Sequence, residues 1–170
     1  MIDLVSKLDL SAILKFPKQF VGEAGKVVRV TALGIKAEMI DEIEHGPKSG
    51  RIYERGQHQV NFTTRAGAAV SFTARRGSKA KYHQASAPGE APATDTGALV
   101  NSISMEMVGP VTTVDSVSAE CARSLEFGSP SGRVAPRPFV RPAVAKARKP
   151  FRDGMAKVAK AAVKASGGQA

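Results

Sequence analysis

The chain has 170 residues and a mass of 17.8 kDa, enough for one domain with an arm and too short for two full-sized enzyme domains. A net charge of +10 with 42% hydrophobic residues allows a core beneath a basic surface, which favours an anionic partner. Cys121 is the single cysteine, which excludes an internal disulfide framework and a cysteine-rich zinc site; with 5% aromatics and no Trp, the core must come from Val, Ile, Leu, Met and Ala.

The N-terminal stretch alternates apolar and polar residues and lacks the basic start and apolar run of a signal peptide. No window reaches the roughly 18 apolar residues of a membrane span, so the chain is read as neither secreted nor membrane-spanning. Phe20, Ala24, Val27, Thr31, Ile35 and Met39 then recur at steps of three and four, predicting a helix over about residues 18–45. Gly22, Gly25 and Gly34 each lower its propensity by about 1 kcal/mol, so packing must hold it. His45-Gly46-Pro47 stops it. Glu38, Asp41, Glu42 and Glu44 crowd its C-terminal turns, where the helix dipole disfavours anions, and call for a cationic partner outside the helix.

Val60, Phe62 and Thr64, then Val70, Phe72 and Ala74, alternate with polar residues around a Gly-containing loop, the pattern of a β-hairpin with basic flanks. Residues 86–93 form a Pro/Gly loop, and Asp95 is placed to cap a short helix bearing Leu99, Val100 and Ile103. Met105 and Met107, residues 111–117 and residues 119–127 read as further strands, completing a meander of about five. From Phe139 onward Val140, Val144, Ala147, Phe151, Met155, Val158 and Ala162 keep helical spacing, while Pro150 should kink or split that helix. The expected fold is α+β: an antiparallel sheet of about five strands with a long N-terminal helix, a short middle helix and a basic C-terminal helix. Its expected organisation is a domain over residues 1–138, with a hairpin elaboration at about 54–81, and a basic helical arm over residues 139–170.

Signals for catalysis are thin. His45, His58 and His83 lie in separate segments without metal-ligand spacing, and Cys121, read within a strand, has no base placed beside it. Glycine-rich phosphate loops and nucleophile elbows are missing. The chain is therefore read as a non-enzymatic binding or structural part, without cofactor or metal.

Charge is unevenly distributed. Residues 1–50 balance seven basic against seven acidic side chains; residues 51–82 carry seven against one, giving +6. Residues 83–138 carry three against six, giving −3, and residues 139–170 carry eight against one, giving +7. Two basic blocks flank a mildly acidic body, as expected if two elements project toward one polyanion.

Four segments occur in order: Ser49-Gly50-Arg51-Ile52-Tyr53; the run HQASAPGEAPATDTGAL over residues 83–99; Leu125-Glu126-Phe127-Gly128; and Pro136-Arg137-Pro138-Phe139-Val140-Arg141-Pro142-Ala143. Together they resemble the neck and tail-completion family of long-tailed bacteriophages, related to the minor tail protein Z of lambda-type phages, over about residues 1–150. Family members often carry Tyr shortly before the Leu-Glu-Phe-Gly block, where this chain has Cys121-Ala122-Arg123-Ser124. Residues 54–81 and the Lys/Ala-rich end after Phe151 depart from the family pattern.

The resemblance implies a virion structural protein at the head-tail junction (neck, tail completion or tail terminator), assembled in the host cytoplasm. It also implies a homo-oligomeric ring, six-fold favoured and twelve-fold possible, around the channel for double-stranded DNA. The expected partners are further copies, tail-tube and head-connector proteins and the DNA, with no membrane. Candidate channel residues are Arg65, Arg75, Arg76, Arg148, Lys149, Arg152, Lys157 and Lys160. Candidate interface residues are Arg51, Tyr53, Pro88, Glu90, Glu126, Phe127, Arg137, Phe139 and Arg141. The alternative from another class is a sequence-independent basic DNA-binding protein, suggested by the Ala/Lys texture of residues 155–164.

Overall fold

The computed structural model describes residues 4–9, 18–75 and 81–165, the first of these segments through its backbone pairing. Helix α1 spans Lys18–His45, the expected bounds. Its buried face is Ala24, Val28, Ala32, Ile35, Met39 and Ile43, a stripe at steps of three and four. The predicted stripe is correct at Ala24, Ile35 and Met39 but one residue out at Val27 and Thr31. Those two are half-buried and turn toward the C-terminal helix, because α1 has a second packing face there.

One face of α1 lies on an antiparallel sheet of β1 (Leu4–Asp9), β7 (Thr112–Val117) and β6 (Ile103–Gly109), with β7 in the centre. Along β7 burial alternates, with Thr113, Asp115 and Val117 buried, as expected for a strand with one covered face. Gly25 lets the β6–β7 turn approach α1: a Cβ there would fall 2.3 Å from the Pro110 carbonyl oxygen.

The single meander of about five strands is not what forms. Among the described residues there are seven strands in three separate antiparallel sheets. Strands β2 (Ile52–Glu54) and β5 (Tyr82–Gln84) pair with each other, and β3 (Gln57–Thr63) pairs with β4 (Ala69–Arg75) as the expected hairpin. The segment 119–127, expected as a strand, instead contains helix α3 (Ala122–Phe127). It has no β-branched residue to favour a strand, and Ala122 and Glu126, four apart, share one buried helical face.

Helix α2 (Ala98–Asn101) lacks the expected Asp95 cap; Gly97 holds the N-cap position at φ 77°, and Asp95 turns to Arg55 instead. Helix α4 (Val140–Ala165) runs unbroken through Pro150 and packs antiparallel to α1. Contacts on both sides of the proline hold it together: Ala143 joins the core before it, and Gly154 after it lies so close to Val27 that a Cβ would meet Val27 Cγ1 at 2.9 Å. The boundary drawn at residue 138 is thus no break in packing, since Phe139 and Ala143 belong to the same core cluster as Met39, Ile43, Ile103 and Val117.

Candidate functional site

The four sequence blocks, scattered between residues 49 and 143, converge at the N-terminus of α4. Helix α3 ends on Gly128, at φ 82°, where a Cβ would come within 3.0 Å of the Val134 carbonyl oxygen. A left-handed, crowded position of this kind favours glycine. The chain then returns, and the Arg137 amide donates to the Leu125 carbonyl at 2.6 Å.

That return brings Glu126 beneath the first turn of α4. Its Oε2 accepts the Phe139 and Val140 amides at 2.8 and 3.0 Å, and its Oε1 accepts the Arg141 amide at 3.0 Å. These are amides of the kind that a helix leaves unpaired at its start, and the helix dipole favours an anion there. Arg141 folds back so that Nε donates to Oε1 at 3.0 Å and Nη2 to the Glu126 carbonyl at 3.1 Å. Its guanidinium also stands 5.4 Å from the centre of the exposed Phe127 ring.

A second layer braces this cap. Arg137 donates through Nε and Nη2 to the Ser86 carbonyl, both at 3.3 Å, and the Gly89 amide donates to the Pro136 carbonyl at 2.8 Å. Glu90 closes the Pro/Gly loop by accepting the Ser49 amide at 2.9 Å, the Ser49 hydroxyl at 2.5 Å and the Ala87 amide at 2.8 Å. The Ser49 hydroxyl, followed by the Ala87 and Ser49 amides, holds its carboxyl down at about 2.

The interface candidates therefore divide. Arg51, Tyr53, Pro88, Phe127 and Arg141 are exposed, while Arg137 is half-buried and Glu90 is tied into its own loop. Glu126 and Phe139 must be reassigned: both are fully buried in their own chain, where one caps α4 and the other anchors it in the core. Glu126 pairs with Arg141 of the same chain.

Sequence reasoning missed a buried cluster at the root of the hairpin. Arg55 Nη2 lies 2.8 Å from His83 Nδ1 and 3.1 Å from Asp95 Oδ1, and Tyr53 packs edge-on against the His83 ring. The Arg55 amide donates to the Lys81 carbonyl at 2.9 Å, extending the β2–β5 pairing. Arg55 read as one more basic flank. The only signal to the contrary was its position between a strand and a turn glycine, which is not enough to predict burial.

Of the channel candidates, Arg65 is exposed in the β3–β4 turn; Arg75 is the last residue of β4, and Arg76 lies outside the described residues. Arg148, Lys149, Arg152, Lys157 and Lys160 are all exposed on α4, while Ala147, Phe151, Met155, Val158 and Ala162 are half-buried on its other side. Lys149 is partnered within the helix by Asp153 at 2.8 Å, which raises the pKa of the lysine and lowers that of the aspartate. The acidic end of α1 finds the cation that its sequence required: Lys146 of α4 binds Glu38 and also Glu42, the latter at 2.7 Å, and these bonds raise its own pKa.

Cys121, expected in a strand as a small buried apolar group, is exposed at the N-cap of α3. Among the described residues no group of three or more His, Cys, Asp or Glu side chains is arranged to hold a metal ion, and no helix is long and apolar enough to cross a membrane. Comparison with protein-family models, curated proteins and solved structures finds no match for this chain.

Proposed function

We propose that the chain is a structural virion protein of a tailed bacteriophage, forming a ring at the head-tail junction around the DNA channel. The observation that carries this reading is the convergence of the four family-like blocks on the Glu126 cap. Neighbouring blocks, with residues up to 51 apart in sequence, are joined through named bonds, so the resemblance covers one connected unit rather than scattered matches. The stiff Pro-rich connectors around that unit lose little entropy when a neighbour locks onto them.

Within the ring, the solvent face of α4 supplies the surface for DNA. Arg148, Arg152, Lys157 and Lys160 project from one helix as a row of exposed cations, which suits contact with phosphates. Native mass spectrometry of the purified chain, alone and with tail-tube or head-connector protein, tests the reading. A closed cyclic oligomer is the expected result; a monomer under every one of these conditions overturns it. A free DNA-binding protein would instead remain monomeric and bind duplex DNA with steep salt dependence.

A further inference from the structure

Among the described residues, two apolar surfaces have no cover within the chain. The first is one face of the β3–β4 hairpin. Val60 is paired with Phe72 and Phe62 with Val70, so these four side chains stand together. Phe62 and Phe72 meet edge to face at 6.3 Å, and each is 49% exposed. The opposite face carries Gln59, Asn61, Ser71 and Thr73. A two-stranded ribbon is marginal alone and needs its apolar face packed to persist.

The second surface is a groove of 520 Å³ between α1 and α4, walled by Val27, Val30, Thr31, Ala143, Ala147 and Pro150. Gly34 forms part of its floor, and a Cβ there would meet nothing within 4 Å. This glycine weakens the helix and, among the described residues, has nothing packed close to it, unlike Gly25 against Pro110. Val30, at 69% exposed, and Leu33 extend the apolar surface outward.

We infer that the hairpin of one copy seats its Val60, Phe62, Val70 and Phe72 face in the α1–α4 groove of the next copy. This rests on the ring reading above and names the two surfaces that build the ring. The charges agree with the pairing. The hairpin itself, Gln57–Arg75, carries Arg65 and Arg75 and no acid, whereas residues 38–44, at one end of the groove, carry four carboxylates and no Lys or Arg. Lys146 binds Glu38 and Glu42 and Lys26 also lines the groove, so in the inferred contact Arg65 of the hairpin turn meets what remains of that charge. Because the two surfaces differ, the contact is head-to-tail, and repetition closes a ring where the rotation allows.

The test uses two full-length variants. Phe62→Thr/Phe72→Thr removes both rings while retaining residues that suit a strand. Gly34→Arg fills the groove with a cation facing a basic hairpin and replaces glycine with a better helix former. Each variant alone should be monomeric at a concentration where the unsubstituted chain is a ring, with circular dichroism showing an intact fold. Mixed one to one, they should form a heterodimer and nothing larger, since the mixture offers one intact hairpin and one intact groove per pair. Rings formed by either variant as readily as by the unsubstituted chain overturn the inference and leave the ring reading intact. So does loss of assembly in the hairpin variant alone, which would indicate hairpin packing on hairpin. An unsubstituted chain that never assembles, even with tail-tube or head-connector protein present, overturns both.

Discussion

Arg141 holds Glu126 at three points: its amide and Nε both donate to Oε1 at 3.0 Å, and its Nη2 donates to the Glu126 carbonyl at 3.1 Å. The carboxylate is 1% exposed and the arginine 61%, so the pair crosses from core to surface and joins α3 to α4. Removing the acid leaves three backbone amides without their acceptor at a largely buried helix start, and unsatisfied buried donors are expensive.

Glu126→Ala is therefore expected to cost about 3 kcal/mol or more, since each buried donor left unsatisfied costs about 1–3 kcal/mol. Glu126→Gln, which keeps one carbonyl oxygen for the amides, should cost less. Arg141→Ala leaves the buried carboxylate without its cation but still held by three amides, and should cost about 1–3 kcal/mol, less than Glu126→Ala. Urea unfolding of the three variants checks this order, and a Glu126→Ala chain as stable as the parent refutes the buried-cap account.

The helical glycines give a paired test. Gly25→Ala gains helix propensity but drives a Cβ to 2.3 Å from the Pro110 carbonyl oxygen, so a net loss of about 1–3 kcal/mol is expected from the forced separation of α1 and the β6–β7 turn. At Gly22 a Cβ meets nothing within 4 Å, and Gly22→Ala should stabilise the chain by up to about 1 kcal/mol. Thermal unfolding midpoints moving in opposite directions confirm the assignment; parallel shifts reject it.

These glycines show what sequence can and cannot reveal. All three lower propensity equally on paper, and nothing in the local pattern separates the one under Pro110 from the others. Helix α1 was legible to its ends because twenty-eight residues repeat one period and a Gly-Pro stop follows. The hairpin was legible because alternation on both sides of a glycine loop fixes it. Helix α3 was not, since six residues make fewer than two turns and carry too little periodicity to tell from a strand. The Glu126 site was half legible: its motif stood out, but an acid reads as surface, and its burial depends on a return of the chain that only the fold reveals. Pro150 misled because its local cost is offset by packing on both sides.

Asp115 supplies a pH test. It is 5% exposed on β7, and burial, opposed in part by Lys36, raises its carboxyl to about 6. A carboxyl raised in the folded state binds its proton more tightly there than in the unfolded chain. Its contribution to stability is fully present below the unfolded value of about 3.9 and is lost as pH rises through about 6. Asp115→Asn removes the buried charge at nearly constant shape. It should stabilise the chain at pH 7.5 by on the order of 2 kcal/mol and give little gain at pH 4. Denaturant unfolding at the two pH values reads the difference, and an equal effect at both excludes titration of Asp115 as its source.

The cations of α4 make the last prediction, which concerns DNA. If Arg148, Arg152, Lys157 and Lys160 each neutralise one phosphate, binding of duplex DNA by the assembled ring should weaken with salt at a log-log slope of roughly −3 to −4 for each protomer that touches the DNA. Replacing Arg152 and Lys157 with Gln should shorten that slope by about 2 per contacting protomer, equally for unrelated DNA sequences, because contacts to the backbone carry no base information. Lys149 is the internal control. Asp153 already partners it at 2.8 Å, so Lys149→Gln exposes that aspartate without freeing a phosphate-bound cation, and the slope should change least. The competing account has these cations pairing with an acidic neighbouring ring. It predicts that the Arg152 and Lys157 substitutions disturb co-assembly with tail-tube or head-connector protein and leave the salt slope of DNA binding unmoved. A single fluorescence-anisotropy titration series over salt, run beside a co-assembly assay on the same variants, separates the two, since each account assigns the loss to a different assay.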